Sequence, residues 1–527
     1  MRFTCFFSVY LFAGFALLFF SGSPAFCQAQ TPSSAPEASR PNIIFLLTDD
    51  QRADALGIAG HPVLETPHID RLARDGARFT EAHVVAPVCM PSRVSFMNGQ
   101  YERVHQIGFS SPNVLSETQW NQTYSALLRK AGYHVGFVGK IGLQQYSFRG
   151  SPLEKFDFWR GHDDWARFWP REFDHLAIYH DSEGEIVTPI MSESIERFLD
   201  QAPADRPFML SVSFSAPHGS ISGTMLYPDE QGLNRMFTPA NTHPELADHP
   251  VYGSLYRDRG IVLPASRGDD TAQHISLDVH PREGRMTTYS YSYAGDDVLR
   301  EYHIRYYQLI HGLDIAVGKL RESLERRGLA DNTIIIFSSD HGLLMGEYSM
   351  GGKSLLYDVA TRVPLIVYDP RTPAGGRGAT IDELALSIDV PATIVSYAGL
   401  DVPQTMQGRS LRPLIEDPEA AWRDEIFLES LFLLRTGPFI EAVRTKDWKY
   451  VRYFRSDTSQ YTAEDVDFEG RAPDFEQLFD LVNDSAEERN LIEDASQAAR
   501  IASFRERSKQ YSAELVQARK DMKKYPR

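Results

Sequence analysis

The hydrophobic positions of this chain fall into short unbroken apolar runs, each followed by a cluster of polar residues. These runs do not alternate with polar residues, and they are rich in Ile, Leu, Val and Phe. Such a run is typical of a strand that is buried on both faces of a parallel sheet. The runs that predict strands in the larger, N-terminal part of the chain are Asn42–Thr48, Tyr133–Val138, Phe208–Ser215, Thr333–Ser339 and Arg362–Val367.

Segments with helical spacing lie between those strands. Thr66 and Pro67 predict the start of one helix, Thr123–Lys130 a second, and Glu301–Gly328 a third. In the third, apolar positions recur every three or four residues at Tyr306, Ile310, Leu313, Val317, Leu320 and Leu324. Alternating strands and helices predict an α/β fold with a large, mostly parallel sheet flanked by helices.

The pattern changes beyond Pro413. Residues 442–445 and 448–453 alternate as a hairpin of half-exposed strands, and the last thirty or so residues predict an amphipathic helix with a basic tail. We therefore expect a catalytic domain over 41–415 and a smaller α+β C-terminal subdomain over 416–527.

The N-terminus predicts export. Arg2 precedes an apolar run over 5–20, and small residues continue to Ala29. A run this short is typical of a cleaved signal peptide, here 1–29, followed by a disordered lead-in over 30–40. A signal anchor and lipid attachment at Cys27 are the alternatives. A signal peptide predicts a secreted or periplasmic protein.

The net charge restricts the class of ligand. The 527-residue chain carries a formal charge of −17, which argues against nonspecific binding to nucleic acid. An anionic substrate would have to be attracted by a local group of basic residues.

Polar residues that could carry chemistry follow the predicted strands. Asp49 and Asp50 end the first strand, Lys140 follows the second, and His218 follows the third. The fourth strand leads into Asp340 and His341. The carboxyl ends of parallel strands meet at one edge of a sheet, where such folds bind ligands. Adjacent aspartates repel each other unless a cation lies between them, so we expect a metal site.

Cys89 is the single cysteine outside the predicted signal peptide, since the other two are Cys5 and Cys27. A lone thiol is either buried and inert or a reactive centre. Pro91 suits the first turn of a helix, so residue 89 would lie at a positive helix N-terminus beside Arg93. An anion binds well at such a place.

Cys89-Met-Pro91-Ser-Arg93 with Gly99 resembles the signature of the type I sulfatases, a family related in fold to alkaline phosphatase. The two residues before Gly99 depart from the usual Leu-Thr. Lys353 and the residues at the strand ends match the family in order. A second departure is Gly142, where the family has a histidine that helps to break down the sulfated intermediate; Gln144, Tyr146 or water would have to replace it.

The resemblance implies a sulfuric ester hydrolase in which a formylglycine-generating enzyme oxidises Cys89. It implies one Ca²⁺ per chain, three basic residues that neutralise the sulfate, and His218 as the acid for the departing alcohol. The residues so implied are Cys89, Arg93, Lys140, His218 and Lys353 for catalysis and Asp49, Asp50, Cys89, Asp340 and His341 for the metal.

Residues 219–298 predict a pocket rim that selects a sulfated carbohydrate. This irregular stretch is rich in Tyr, Arg and His, and it follows His218 directly. Aromatic rings suit sugars, and arginines suit carboxylate or sulfate groups. Two alternatives remain: a phosphodiester or phosphonate monoester hydrolase of the same superfamily, and a catalytically dead glycan-binding relative.

Overall fold

A computed structural model describes the chain in ten ranges that include most of both expected domains. The described ranges are 40–143, 150–162, 169–172, 174–218, 254–269, 274–275, 295–372, 377–417, 419–433 and 437–522. The predicted signal peptide, Gln144, Tyr146 and most of 219–298 lie outside them. Within the described residues, no helix combines the length and the apolar character that crossing a bilayer requires.

The central element is an eight-stranded, mostly parallel sheet, as predicted. Its strands are β1 Asn42–Asp49, β2 Ala77–Phe79, β4 His134–Lys140, β5 Phe158–His162, β6 Phe208–Pro217, β7 Thr333–Ser339, β10 Leu365–Tyr368 and β11 Ala379–Ile381. They lie in the order β11-β2-β10-β7-β1-β6-β4-β5. The predicted strand Arg362–Val367 is therefore shifted, and as β10 it runs antiparallel to both of its neighbours. Short two-stranded pairs join β3 Ala82–His83 with β12 Ala385–Leu386 and β8 Leu344–Met345 with β9 Gly351–Gly352.

Alternate residues of each strand point to opposite sides of the sheet, so the unbroken apolar runs make both of its faces apolar. Helices cover both faces. Ile44 and Leu46 of β1 belong to the hydrophobic core on one side, and Ile43, Phe45 and Leu47 to the core on the other. The helices are α1 Pro67–Asp75, α2 Cys89–Asn98, α3 Glu102–His105, α4 Glu117–Trp120, α5 Tyr124–Lys130, α6 Pro152–Lys155, α7 Val187–Gln201, α8 Gly295–Arg326, α9 Asp358–Thr361, α10 Asp389–Tyr397, α11 Arg412–Glu416 and α12 Ala498–Met522.

The predicted helices are present, with two local differences. Helix α8 begins at Gly295, six residues before the predicted start at Glu301, and its predicted apolar face is buried. Thr66 does not cap α1 with its side chain. Its hydroxyl instead donates to Asp70 Oδ1 at 2.7 Å and accepts from the Gly57 amide at 2.8 Å, which ties the start of α1 to the preceding turn.

The C-terminal part is a four-stranded antiparallel sheet covered by α12. Its strands are β13 Glu425–Ser430, β14 Phe439–Thr445, β15 Trp448–Phe454 and β16 Phe475–Asp480. The prediction that the hairpin is half-exposed is wrong: the adjacent residues Tyr450 and Val451 are 0% and 2% exposed. Phe504 of α12 and Tyr357 near α9 belong to the same hydrophobic cluster as these strands, so both faces of the sheet are covered.

Candidate active site

Two neighbouring parallel strands bring distant acidic residues together. Thr48 in β1 is the register partner of Ser339 in β7, so the residues that follow them meet at the same edge. The Asp50 amide donates to Asp340 Oδ1 at 3.2 Å, and the Asp340 amide donates to the Thr48 carbonyl at 3.0 Å. The strand ends thus hold Asp49, Asp50, Asp340 and His341 in one buried group.

Cys89 lies at the first residue of α2, beside this group. Every residue of α2 is buried, and Gly99 ends the helix with a φ of 70°. The Cys89 Sγ is 3.7 Å from Asp49 Oδ1, 3.3 Å from His341 Nε2 and 2.9 Å from Lys353 Nζ. The positive end of the helix dipole therefore lies next to the thiol.

Arg93, one turn further along α2, joins the two acidic strand ends. Its Nε donates to Asp340 Oδ2 at 2.8 Å, and its Nη2 donates to Asp49 Oδ2 at 2.9 Å. Its Nη1 donates to the Lys140 carbonyl at 2.8 Å and to the Ser213 hydroxyl. Burial alone would lower the pKa of Arg93, but Asp340 and Asp49 raise it. The guanidinium is thus a fixed positive charge between two carboxylates.

Two lysines contact the same carboxylates. Lys140, at the end of β4, bonds to Asp49 Oδ2, and Lys353 Nζ bonds to Asp50 Oδ1 at 2.9 Å. Burial by itself would raise the pKa of Asp49, but Lys140 and Arg93 hold it well below its usual value. Burial would lower the pKa of Lys353, which Asp50 raises well above its usual value. No basic residue directly adjoins either aspartate in the sequence, and their positive partners come from elsewhere in the chain.

His218 borders the same group of charged residues and has the most exposed side chain among them. It follows β6, its side chain is 20% exposed, and its Nε2 lies 3.9 Å from Asp50 Oδ2. Burial lowers its pKa to about 4, although Asp50 acts in the opposite direction. The imidazole is therefore largely uncharged at neutral pH.

The donor atoms lie close enough together to hold one metal ion. One ligand atom each from Asp49, Asp50, Cys89 and His341 lies within 4.8 Å of the other three. Two ligands on opposite sides of Ca²⁺ are separated by about 4.6–5.2 Å, twice the usual Ca–O distance. Asp340 borders this set, with its Oδ1 3.5 Å from His341 Nε2. Burial would lower the pKa of His341, but Asp340 raises it to about 9, so binding a cation through this imidazole would release a proton.

Gly142 leaves no room for a side chain. Its φ is +73°, and a Cβ added there would lie 2.3 Å from Cδ of Arg93. The suggested substitutes Gln144 and Tyr146 lie outside the described residues. A different histidine, His162 of β5, lies beside the end of β4. It is the register partner of Lys140, and its Nε2 is 3.4 Å from the Ser215 hydroxyl. Sequence reasoning missed His162, Ser213 and Ser215 because no motif marks them.

The described part of the 219–298 segment makes contacts within the protein. Tyr256 is 5% exposed and packs edge-on against Tyr307. Arg257 pairs with Glu301 at 2.7 Å, and His274 lies 3.1 Å from Asp269. The expected role of this segment as a pocket rim stays a prediction.

Known protein families match both the part of the chain that forms the large sheet and the part that forms the C-terminal sheet. A family model described as Sulfatase matches residues 41–400, and one described as N-sulphoglucosamine sulphohydrolase, C-terminal, matches residues 346–514. An arylsulfatase from Clostridium perfringens is 26% identical over 508 residues, 88% of this chain and 92% of the relative. An N-acetylglucosamine-6-O-sulfatase from Bacteroides thetaiotaomicron is 26% identical over 454 residues, 79% of each. A solved structure of a protein with its substrate D-glucosamine-2-N,6-O-disulfate has a TM-score of 0.64 at 21% identity, covering 92% of this chain and 99% of that one.

Proposed function

The chain belongs to the sulfatase family and is a sulfuric ester hydrolase; from this premise we propose that it releases sulfate from a sulfated carbohydrate. We further propose that a formylglycine made from Cys89 and one bound divalent cation carry the reaction. The observation that carries the proposal is the position of Cys89, whose Sγ lies within 4 Å of Asp49, His341 and Lys353.

The charges of the site support an anionic substrate. Asp49, Asp50 and Asp340 are matched in formal charge by the three basic side chains that contact them, Arg93, Lys140 and Lys353. A divalent cation therefore makes the site positive, which favours a sulfate ester although the whole chain is acidic.

Each side chain then has a role that follows from its place. Asp49, Asp50, Asp340, His341 and residue 89 hold the cation, with Ca²⁺ as the expected ion. When bound there, such an ion would polarise sulfate oxygens and make an oxygen nucleophile at residue 89 more acidic. Lys140 and Lys353 bind the sulfate while Arg93 fixes the two carboxylates. His218, the most exposed side chain of the group, delivers the proton to the departing alcohol.

The substrate class rests on two supports. One relative is an N-acetylglucosamine-6-O-sulfatase, and the predicted signal peptide 1–29 would place this enzyme outside the cytoplasm, where sulfated polysaccharides occur. Cleavage of that peptide, checked by N-terminal sequencing of exported protein, leaves the lead-in over 30–40, a catalytic domain over 41–415 and the subdomain over 416–527. The maturation partner is a formylglycine-generating enzyme.

Mass spectrometry of the peptide spanning residue 89 tests the nucleophile. Protein made with a formylglycine-generating enzyme should carry the aldehyde at residue 89 and be active, and Cys89→Ala should be inactive. Full activity in protein whose Cys89 is entirely unmodified would refute this part of the proposal.

A substrate panel tests the reaction. Sulfated mono- and oligosaccharides, a nitrophenyl sulfate, a phosphodiester and a phosphonate monoester are assayed side by side, with Cys89→Ala as the blank. We expect the highest kcat/KM on a sulfated carbohydrate. Preference for the phosphodiester or the phosphonate would replace the proposed reaction by that of the related hydrolases.

A further inference from the structure

The turn that carries Asp50 is held by side chains from other elements. Beyond β1 the chain turns, and Asp50 has a φ of +70°. A residue with a side chain rarely adopts this left-handed conformation unless its surroundings enforce it. Contacts that hold this turn therefore also hold the Asp50 carboxylate.

Three consecutive amides of the turn each donate to a side chain. The Asp50 amide donates to Asp340 Oδ1 at 3.2 Å, and the Gln51 amide to the Ser339 hydroxyl at 2.9 Å. The Arg52 amide donates to the hydroxyl of Tyr306 at 2.9 Å. Two of these partners belong to the strand end that forms the site, but Tyr306 belongs to helix α8.

Tyr306 bonds to both ends of the turn. Its hydroxyl accepts from the Arg52 amide and donates to the Asp50 carbonyl at 2.8 Å, so one oxygen joins the peptide groups on either side of Gln51. The side chain is 1% exposed, so its position is set by packing. Rotation of the Asp50 peptide out of its left-handed conformation would break the bond to its carbonyl.

We propose that Tyr306 is a positioning residue that holds Asp50 in its cation-binding orientation and so sets the affinity of the site for its ion. This inference rests on the cation of the proposed function. It adds a residue outside the proposed ligand set, whose hydroxyl bonds to the backbone of the ligand turn. Partners that orient metal ligands typically change affinity by about 10- to 100-fold when they are removed.

Tyr307 provides a matched control on the same helix. It is 5% exposed, and its hydroxyl pairs with His303 Nδ1 at 3.2 Å instead of with the turn. Tyr306→Phe and Tyr307→Phe each remove one buried hydroxyl from neighbouring positions, and only the first removes a contact with Asp50.

The test measures Ca²⁺ binding directly in the full-length protein after metal removal, by titration calorimetry. Tyr306→Phe should weaken Ca²⁺ binding by about 10- to 100-fold, and Tyr307→Phe by less than about 3-fold. Thermal unfolding with EDTA and with Ca²⁺ gives a second readout, because the rise in Tm caused by the ion reports its affinity. That rise should shrink in Tyr306→Phe even if the variant is less stable in EDTA.

Three other outcomes have distinct meanings. Equal Ca²⁺ affinity in Tyr306→Phe and the unaltered protein would overturn the positioning role alone. Equal weakening by both variants would also overturn it, because the effect would then be general loss of packing. An unaltered protein that binds no divalent cation would overturn the cation of the proposed function and the role of Tyr306 with it.

Discussion

At the scale of single residues, Gly142 shows how the site depends on a missing side chain. The guanidinium of Arg93 reaches Asp49, Asp340 and the Lys140 carbonyl because its stem passes over Gly142. A histidine at this position would compete with Arg93 for the same space. In this chain, the departure from the family pattern coincides with close packing of Arg93 against Gly142.

Gly142→Ala should lower the free energy of unfolding by about 2–4 kcal/mol, since a positive φ costs about 1 and overpacking about 1–3. Gly60→Ala is the control, because Gly60 also has a positive φ, +86°, but nothing lies within 4 Å of its added Cβ. Denaturant unfolding of both variants checks the difference. Equal losses would mean that Arg93 moves aside without cost.

Glu102 is a buried carboxyl group whose protonation links folding to pH. Burial, with Glu429 nearby, raises its pKa to about 8, while in the unfolded chain it is about 4.3. Between those values the folded state binds a proton that the unfolded state has lost, so Glu102 makes stability fall as pH rises through this window.

As the pH rises from 5 to 9, Glu102→Gln should therefore gain stability relative to the unaltered protein. Only the unaltered protein loses the contribution of a protonated Glu102 over this range. In the unaltered protein the Tyr461 hydroxyl donates a hydrogen bond to Glu102 Oε1 at 3.0 Å. The amide oxygen of glutamine can accept the same hydrogen bond. Thermal unfolding across this pH range measures the effect, with the surface change Glu322→Gln as control. A stability difference that does not vary with pH would contradict the assignment.

At the scale of elements, α12 explains why the hairpin of β14 and β15 is buried rather than half-exposed. Phe504 stacks on Tyr450 at a ring distance of 6.0 Å, and Arg507 lies 4.2 Å from the centre of the Phe504 ring. The helix thus covers one face of the sheet.

Phe504→Ala should lower the free energy of unfolding by about 3–5 kcal/mol, the usual cost of removing a buried aromatic ring. Lys509→Ala on the same helix, where the side chain is 69% exposed, should change it by less than about 0.5 kcal/mol. Chemical denaturation compares the two. A small loss for Phe504→Ala would show that α12 contributes little to the stability of the C-terminal sheet.

At the scale of the whole molecule, a buried ion network joins the C-terminal sheet to the segment that carries Lys353. Lys449 of β15 is 0% exposed and lies 2.6 Å from Asp358 and 2.5 Å from Glu487. Its Nζ also donates to the Leu356 carbonyl at 2.9 Å, three residues after Lys353. The C-terminal sheet therefore supports one wall of the active site.

Lys449→Met should lower the free energy of unfolding by about 3–5 kcal/mol, because Asp358 and Glu487 lose a buried partner. Lys446→Met in the same hairpin is the control: its side chain is 39% exposed and pairs with Glu383, so the loss should be about 0–1 kcal/mol. Thermal and chemical unfolding measure both. Equal losses of unfolding free energy in the two variants would mean that the buried network does not join the C-terminal sheet to the segment that carries Lys353.

The amino-acid pattern was sufficient to predict four central strands and the residues that follow them. Unbroken apolar runs predicted β1, β4, β6 and β7, because a strand covered on both faces needs apolar residues throughout. The polar residues after those runs then marked Asp49, Lys140, His218 and Asp340 as candidates, and the Cys89 signature added the expected chemistry.

The contacts between distant side chains could not be predicted in this way. Arg93 joins Asp49 to Asp340, and Tyr306 joins the ends of the Asp50 turn, over separations of 44 to 256 residues along the chain. The reversed direction of β10 and the covered faces of the C-terminal sheet belong to the same class. A local pattern shows which residues are apolar, but their partners and the covering of a sheet face depend on how the strands and helices are arranged in space.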